Sequence, residues 1–275
     1  MQEQIGFIGI GDQGGPIARR IAEGGYDLTL WARRPAALDA FADTAARAAP
    51  TIAALGAACD IVGVCVFADA DVAEVVGQLL QTMRAGSIIL IHSTAHPDLC
   101  ARLARDGAAR DVAVLDAPVS GGNARAAAGQ LAVMIGGDRD ACDRLQPLLA
   151  TFATTVAWLG APGSGQVCKL LNNALFTINS GTALAVLEAG DRLGLDRAAL
   201  VRMLSTGSGQ SLGLEMMARA TPASLKFAFE RLEKDVALAL DVLQSRGLGD
   251  SRAAKSARLG VAGFEAFAAE AQDGA

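Results

Sequence analysis

The chain has 275 residues, of which 52% are hydrophobic and 19% are charged. An apolar fraction this high, with so few charges, excludes an intrinsically disordered chain and leaves room for one large domain or two ordinary ones. The net charge is −5 and only 4% of the residues are aromatic. Nucleic acid is therefore not an expected partner, because its binding surfaces are basic and carry aromatic side chains for base stacking.

Cysteine usage and the first residues of the chain indicate the compartment. The five cysteines are widely spaced and form no C-x-x-C pair, which favours free thiols in an intracellular protein over a disulfide framework. The N-terminus lacks the basic patch and long apolar run of a signal peptide, and no stretch approaches the roughly 18 uninterrupted apolar residues of a membrane span. We therefore expect a soluble, cytoplasmic protein with no membrane partner.

Over residues 1–160, short β-rich runs alternate with alanine-rich segments of helical spacing. The runs occupy residues 5–10, 28–31, 61–67, 87–92, 112–115, 131–135 and 155–159, and helices are expected at residues 16–22, 72–83, 97–104 and 140–149. Strands that are almost continuously apolar and separated by helices are typical of a parallel sheet covered on both faces. The predicted class of this part of the chain is α/β.

The pattern becomes helical after a glycine- and proline-rich turn at residues 160–165. Residues 166–193 predict a single helix of about 42 Å, which is longer than a small domain is wide. The expected organisation is an α/β domain at residues 1–162 and an all-α domain at residues 163–275, joined by this helix. Because an apolar helix of that length extends beyond one small domain, we expect it to contact a partner subunit in a homodimer or homotetramer.

A glycine-rich turn follows the first predicted strand and precedes the first predicted helix. Gly9, Gly11 and Gly14 form a G-x-G-x-x-G pattern, with Gln13 inside it. Gly9 permits a tight turn, Gly11 allows the backbone to approach a pyrophosphate, and Gly14 allows the helix to pack closely on the strand. Since a helix N-terminus also favours phosphate, these four residues are predicted to bind a dinucleotide.

The end of the second predicted strand bears on which dinucleotide binds. An acidic residue about 20 positions after the turn would hold the ribose 2′-hydroxyl of NAD, but Arg33 and Arg34 follow the strand here. Two guanidinium groups suit the 2′-phosphate of NADP in charge and geometry. NADP is therefore predicted, with NAD retained as an alternative. The other interpretation is an arginine pair that contacts only solvent.

Three further motifs follow in order: D-A-P-V-S-G-G at residues 116–122, G-S-G-Q-V-C-K-L-L-N-N at residues 163–173 and K-D at residues 234–235. Together with the glycine turn they resemble the β-hydroxyacid dehydrogenase family, which includes 3-hydroxyisobutyrate dehydrogenases and semialdehyde reductases. The resemblance implies a Rossmann-type domain joined by a long helix to an all-α domain, with the active site in the cleft between them. It also implies an NAD(P)-dependent oxidoreductase acting on a small 3-hydroxy acid or its semialdehyde.

The resemblance implies roles for matching positions of this sequence. Its catalytic lysine falls on Lys169, and the associated amide falls on Asn173. The carboxylate of a small substrate is expected in the loop of Ser120, Gly121 and Gly122. The remaining residues expected at the cofactor are Thr94, which also lies near the substrate, Val66 and Lys234.

The lysine and the amide also suit the chemistry without the resemblance. Lys169 and Asn173 are four positions apart, so a helix brings them to one face. Removing hydride from an alcohol carbon requires the hydroxyl proton to leave, and a neutral lysine nearby can accept it. This role needs a lysine pKa below its ordinary value of about 10.4, which burial favours. A lysine whose charged end reaches solvent is the alternative interpretation.

Other functions remain open at the level of sequence. A relative of 6-phosphogluconate dehydrogenase would share the glycine turn and the lysine, and an imine reductase would share the architecture but commonly lacks the lysine. A non-catalytic NADP-binding or assembly module on the same scaffold is the alternative from a different class. No metal site is predicted: His92 and His96 are four positions apart, but Pro97 disfavours a continuous helix through both.

Overall fold

The computed structural model describes the backbone of residues 3–273 and the side chains of residues 3–221 and 232–264. The chain divides into two compact units, Met1–Lys169 and Leu170–Ala275. One continuous helix, Ser164–Arg192, carries the chain from the first unit into the second. The predicted boundary between residues 162 and 163 falls in the turn that precedes this helix.

The first unit is built on one sheet of nine strands among the described residues. The strands are β1 (Gln4–Ile8), β2 (Asp27–Trp31), β3 (Arg47–Ala48), β4 (Ile61–Val64), β5 (Ile88–Ile91), β6 (Ala113–Asp116), β7 (Val119–Ser120), β8 (Leu131–Gly136) and β9 (Ala153–Gly160). They lie in the order β3-β2-β1-β4-β5-β6-β8-β7, and β9 pairs with β8. The strands from β1 to β6 are parallel, whereas β8 runs antiparallel to both β6 and β7.

Apolar clusters cover both faces of this sheet, which explains the continuous apolar runs. The helices of the unit are α1 (Gly14–Glu23), α2 (Ile52–Ala58), α3 (Asp69–Leu80), α4 (Pro97–Ala108), α5 (Gly122–Ala127), α6 (Arg139–Arg144) and α7 (Gln146–Leu149), with a 3-10 helix at Pro35–Phe41. Successive side chains of a strand point to opposite faces. Phe7 therefore belongs to the cluster that contains α1, whereas Ile8 belongs to the cluster that contains α2 and α3.

Some predicted elements differ from the structure for local reasons. The first β-rich run ends as a strand at Ile8, because Gly9 has a φ of +92°. The helix predicted at residues 140–149 is divided into α6 and α7, because Pro147 has no N–H to continue the ladder of the preceding helix. The sheet is mixed rather than wholly parallel, because β7 returns to β8 after only ten residues of α5 and turn, too few for a parallel crossover.

The strand order puts a topological switch point between β1 and β4, since the chain passes from β1 to β2 on one side and later places β4 on the other. Ligands of open α/β sheets bind beyond the carboxyl ends of the strands at such a point. Gly9 follows β1 and Cys65 follows β4, and the Cys65 amide donates to the Ile8 carbonyl at 2.8 Å. The candidate site is therefore sought at this edge.

The second unit is helical throughout its described backbone. Its helices are the remainder of α8 (Ser164–Arg192), α9 (Arg197–Thr206), α10 (Leu212–Met217), α11 (Pro222–Ser245) and α12 (Arg252–Asp273). Its core is formed by Ala183, Leu184, Leu187, Leu214, Met217 and Phe264. A Cβ built on Gly181 would lie 2.5 Å from the carbonyl oxygen of Gly260. Helices α8 and α12 therefore touch through their backbones.

By length and composition alone, α8 is apolar enough to cross a membrane, with a mean hydropathy of 1.3 over its most apolar window. Half of that window is buried inside the protein, as in the core helix of a soluble protein. Polar residues interrupt α8, so it contains no uninterrupted apolar run of membrane-spanning length.

Candidate active site

The glycine turn joins β1 to α1 at the switch point. A Cβ built on Gly9 would overlap the carbonyl oxygen of Cys65, and a Cβ on Gly14 would overlap the carbonyl oxygen of Gly9. A Cβ on Gly11 would meet no atom within 4 Å. Gly9 and Gly14 therefore allow the protein's own backbone segments to pack, whereas Gly11 borders open space.

The first turn of α1 is suited to an anion. It carries no acidic residue, and Gln13 at the N-cap makes no capping hydrogen bond. The Nε2 atom of Gln13 is buried and has no hydrogen-bond partner within the described part of the chain. Unpaired N–H groups and the positive end of the helix dipole favour a phosphate. Together with the open space at Gly11, these features fit the pyrophosphate of a dinucleotide.

Arg33 and Arg34 follow β2, whose last residue pairs with Ile8 beside the glycine turn. Both arginines are exposed, but Arg33 is paired: its Nη2 lies 2.7 Å from Oδ1 of Asp71 in the first turn of α3. This hydrogen bond is the main cause that lowers the pKa of Asp71 and raises the pKa of Arg33. The charged pair lies where the sequence predicted recognition of the ribose phosphate.

The loop after β5 is bonded to the end of β4. Ser93 Oγ accepts a hydrogen bond from the Val66 amide at 2.8 Å. The next residue, Thr94, is partly buried and precedes the buried Ala95. Two of the predicted cofactor residues, Val66 and Thr94, therefore lie in neighbouring loops at the carboxyl ends of adjacent strands.

His92, at the start of this loop, is buried inside the first unit. Its Nδ1 lies 2.8 Å from the carbonyl oxygen of Ala117, and its ring stacks on Phe7 and meets Phe152 edge-on. Complete burial lowers the pKa of His92 to about 4, so the ring is neutral at physiological pH. A neutral ring enclosed by carbon atoms is a packing residue rather than a proton carrier.

Asp116, at the end of β6, holds the start of α8. Its side chain is almost fully buried, and its two oxygens accept hydrogen bonds from the amides of Gly163 at 2.7 Å and Gln166 at 2.9 Å. Burial is the largest influence on this carboxyl and raises its pKa, while the backbone hydrogen bonds act in the opposite direction. A Cβ on Gly165 would come within 2.8 Å of the same carboxylate. The glycines of this motif therefore let the helix approach the carboxylate.

Gln166 ties the first turn of α8 to the loop after β5. Its side chain is fully buried, with Nε2 donating to the Ser93 carbonyl at 2.8 Å and Oε1 accepting from the Ala95 amide at 3.1 Å. These two contacts lie on either side of Thr94. Lys169 follows Gln166 by about one helical turn and is partly buried. The lysine thus emerges from a turn that is anchored to the predicted nicotinamide loop.

The loop of Ser120, Gly121 and Gly122 has a backbone that favours glycine. Gly121 has a φ of +137° and Gly122 a φ of +70°, and a Cβ on Gly122 would meet nothing within 4 Å. The next residue, Asn123, donates from Nδ2 to the carbonyl oxygen of Asp12 at 2.8 Å. This bond ties the predicted substrate loop to the glycine turn.

Two predicted residues belong to the second unit. Asn173 is buried on α8, and its Nδ2 donates to Oδ2 of Asp235 on α11 at 2.6 Å. Lys234 is the neighbour of Asp235 and is partly buried. The acidic residue of the K-D motif therefore orients the predicted catalytic amide within this unit, and the cofactor contact of Lys234 stays a prediction.

Four residues that shape the site were not assigned a role from the sequence: Asp71, Asp116, Asn123 and Gln166. Asp116 and Gln166 lie inside the motifs that carry the family resemblance, so the sequence did mark them as candidate site residues. Nothing in the sequence indicates a role for Asp71 or Asn123, because their partners are 38 and 111 residues away along the chain.

Two family models together match most of the chain. The model for the NAD binding domain of 6-phosphogluconate dehydrogenase matches residues 4–160, and the model for the NAD-binding of NADP-dependent 3-hydroxyisobutyrate dehydrogenase matches residues 163–272. The chain belongs to the β-hydroxyacid dehydrogenase family. This β-hydroxyacid dehydrogenase is an NAD(P)-dependent enzyme acting on CH–OH groups, and the predicted Rossmann-type domain followed by a helical domain is confirmed.

Individual members of the family resemble this β-hydroxyacid dehydrogenase over most of their length. An uncharacterized oxidoreductase of Mycobacterium tuberculosis is 33% identical over 86% of this chain and 85% of that protein. The NAD-dependent L-serine dehydrogenase of Pseudomonas aeruginosa is 32% identical over 88% of this chain and 86% of that protein. The structure of Mycobacterium tuberculosis 3-hydroxyisobutyrate dehydrogenase with L-serine shares the fold, with a TM-score of 0.83 at 23% identity over 97% of this chain and 99% of that one.

Proposed function

We propose that this β-hydroxyacid dehydrogenase interconverts a small 3-hydroxy acid and its semialdehyde, with NADP as cofactor and Lys169 as general acid and base. The nicotinamide, when bound, takes up or supplies the hydride. The observation that carries the proposal is the anchoring of the Lys169 turn. Gln166 bonds to the backbone on both sides of Thr94, so the helical turn that precedes Lys169 is fixed to the loop expected to border the nicotinamide.

Lys169 handles the proton that accompanies the hydride. In the oxidative direction, its neutral amine accepts the hydroxyl proton as the carbon loses hydride, and the alcohol becomes a carbonyl. In the reductive direction, its ammonium group returns the proton to the carbonyl oxygen. Asn173 lies one turn further along α8 with its amide oriented by Asp235, and we assign it to the same site as a partner of the lysine.

The substrate carboxylate is assigned to the loop of Ser120, Gly121 and Gly122. This loop combines a hydroxyl group with backbone amides that carry no obstructing side chain, and such nests bind small anions. The relative from Pseudomonas aeruginosa is named for L-serine, which is itself a small 3-hydroxy acid. We therefore include L-serine among the candidate substrates, beside 3-hydroxyisobutyrate.

The assignment of NADP rests on Arg33 and Arg34 at the end of β2. An ionised phosphate pairs with guanidinium groups, whereas the neutral 2′-hydroxyl of NAD gains little from them. The family supplies both precedents: the model matched by the second unit is that of an NADP-dependent enzyme, and the Pseudomonas relative is NAD-dependent. Comparable KM values for the two cofactors would contradict the assignment.

The decisive experiment follows the absorbance of reduced nicotinamide with 3-hydroxyisobutyrate, L-serine and a panel of small semialdehydes. In Lys169→Ala, we expect kcat to fall about 100- to 10,000-fold while the Kd for NADPH stays within about twofold. Lys169→Arg is the matched control for charge and reach. Undiminished turnover in Lys169→Ala would reject the role of the lysine. Tight NADPH binding without turnover of any substrate would favour a non-catalytic module.

We also propose that the protein is a cytoplasmic homodimer or homotetramer. Leu171, Leu175 and Val186 on α8 are large apolar side chains with 45%, 58% and 43% of their surface exposed. Covering such side chains with a second copy would remove apolar area from water. Sedimentation at micromolar concentration tests the assembly, and a monomer would contradict it.

A further inference from the structure

The ion pair between Arg33 and Asp71 joins two segments at the edge of the sheet where the dinucleotide is expected. One oxygen of Asp71 contacts Arg33, and the other accepts a hydrogen bond from the Ala68 amide at 3.3 Å, which closes the start of α3. The Asp71 side chain is 25% exposed and that of Arg33 is 71% exposed. The carboxylate is therefore held by the helix, while the guanidinium faces solvent and is reachable by a ligand.

We propose that Asp71 is a specificity-determining residue, whose carboxylate competes with the 2′-phosphate of NADP for Arg33 and so limits the preference for NADP over NAD. This inference rests on the NADP preference proposed above. It goes further, because it assigns the strength of that preference to a residue on a different element from the arginines.

The physical reason is that two anions would share one guanidinium. Asp71 occupies one of the N–H donor groups of Arg33 at Nη2, so a bound 2′-phosphate has fewer of the five donors available to it. The phosphate also lies beside a fixed carboxylate, and the like charges repel each other. The 2′-hydroxyl of NAD is neutral and meets no such repulsion. Asp71 therefore penalises NADP alone.

Arg34 explains why the site still favours a phosphate. Its side chain is exposed, and it makes no hydrogen bond or ion pair with side chains or backbone in the described ranges 3–221 and 232–264. One guanidinium is thus restrained by an internal carboxylate and the adjacent one is available. The balance between the two arginines and Asp71 sets the cofactor ratio.

The test measures the Kd of NADPH and of NADH on the full-length protein by the fluorescence of the reduced nicotinamide. Asp71→Asn removes the charge but keeps an oxygen that can accept from the Ala68 amide. We expect it to lower the Kd of NADPH about 3- to 10-fold and to leave the Kd of NADH within about twofold, with a smaller change at high salt. Asp71→Ser, which also keeps a capping oxygen, serves if the asparagine variant folds poorly.

Two further variants separate the effect from a general change of charge. Asp106→Asn removes a carboxylate from an exposed ion pair with Arg102 on α4 and should change neither Kd. In an Arg33→Gln background, Asp71→Asn should lose most of its effect on NADPH, because the two residues act through one contact.

The outcomes distinguish this inference from the proposed function. If Arg33→Gln weakens NADPH binding but Asp71→Asn does not strengthen it, the role of Asp71 is overturned and the NADP assignment stands. If Arg33→Gln and Arg34→Gln both leave NADPH binding unchanged, the NADP assignment fails and the inference fails with it. A weaker binding of NADH by Asp71→Asn would identify Asp71 as a ribose ligand and would also overturn the inference.

Discussion

The N-termini of α1 and α8 belong to the same unit and present their amide groups in opposite ways. At α1 there is no acidic residue in the first turn and no side-chain cap, and Gln13 has an unpaired buried amide nitrogen within the described residues. At α8 the amides of Gly163 and Gln166 are already bonded to Asp116. One helix end is open to an anion from outside, and the other is neutralised by the protein's own carboxylate.

The two helix ends offer the same chemical groups for two purposes, binding and anchoring. Free N–H groups at a helix end attract negative charge wherever it comes from. Where the anion belongs to a ligand, the helix end is a binding site. Where it is a carboxylate of the protein itself, the hydrogen bonds fix the position of the helix. In this enzyme the open end is assigned to the cofactor, and the anchored end holds the turn that leads to Lys169.

The largest effect is expected from breaking the anchor. Asp116→Ala leaves two buried amide groups without an acceptor, and we expect the free energy of unfolding to fall by about 2–4 kcal/mol. Asp116→Asn keeps one acceptor oxygen and should cost less. Urea unfolding of both variants checks this. If alanine and asparagine prove equally mild, Asp116 does not anchor the helix.

The open helix end is tested by a pair of glycine substitutions. Gly14→Ala forces an overlap with the Gly9 carbonyl, so both the unfolding free energy and NADPH affinity should fall, the affinity by about 100-fold or more. Gly11→Ala meets no protein atom; it should leave the unfolding free energy within about 0.5 kcal/mol and still weaken NADPH binding about 10-fold. Titration calorimetry and thermal unfolding measure the two effects. Unchanged affinity in Gly11→Ala would place the pyrophosphate elsewhere.

A smaller effect, on turnover rather than binding, is expected at the contact between the anchor and the loop. Gln166→Leu removes both hydrogen bonds that flank Thr94, and we expect kcat to fall about 10-fold because the lysine is less well oriented. The Kd of NADPH should change less than kcat, because the phosphates of the cofactor are assigned to the glycine turn and not to this loop. Gln146→Leu, at an exposed glutamine whose side chain bonds to Cys142 of α6, is the control for losing a glutamine amide away from the site. A KM effect without a kcat effect would contradict the orienting role.

The smallest effect is expected where the substrate loop meets the cofactor turn. Asn123→Ala removes an exposed hydrogen bond to the Asp12 carbonyl, and a single net hydrogen bond is worth about 0.5–1.5 kcal/mol. We expect the KM values of substrate and NADPH both to rise about two- to fivefold. Steady-state kinetics measure them, with Asn123→Asp as a second variant that also lacks the donor. A rise for one ligand alone would show that the bond does not couple the two loops.

Much of the first unit was predictable because its signals are local. Apolar runs such as residues 61–67 and 87–92 contain β4 and β5, which are buried at every position. The glycine turn depends on three neighbouring residues: Gly9 and Gly14 pack against backbone carbonyl groups, as a tight turn and a closely packed helix require, and the contact of Gly11 with a pyrophosphate stays a prediction. Errors arose where one residue changes the local geometry, as Pro147 does between α6 and α7.

Roles that depend on distant partners could not be derived in this way. From the sequence, Arg33 is interpreted as a guanidinium that is available to a ligand. Only the folded chain places Asp71 of α3 next to it. From the sequence, Asp116 is one residue of a motif, with no role of its own. Its role as the acceptor for the first amides of α8 appears only when the start of that helix packs over β6.

Periodicity, turn chemistry and motif spacing therefore predicted the α/β class, which the fold confirms, together with the dinucleotide turn and Lys169 as the proposed general acid and base, since each depends on residues close together in the chain. Folding decided which helix end stays open, which arginine is paired and which loops are joined. These properties depend on electrostatic and hydrogen-bonding partners that are brought together only when burial of the two sheet faces fixes the positions of the helices.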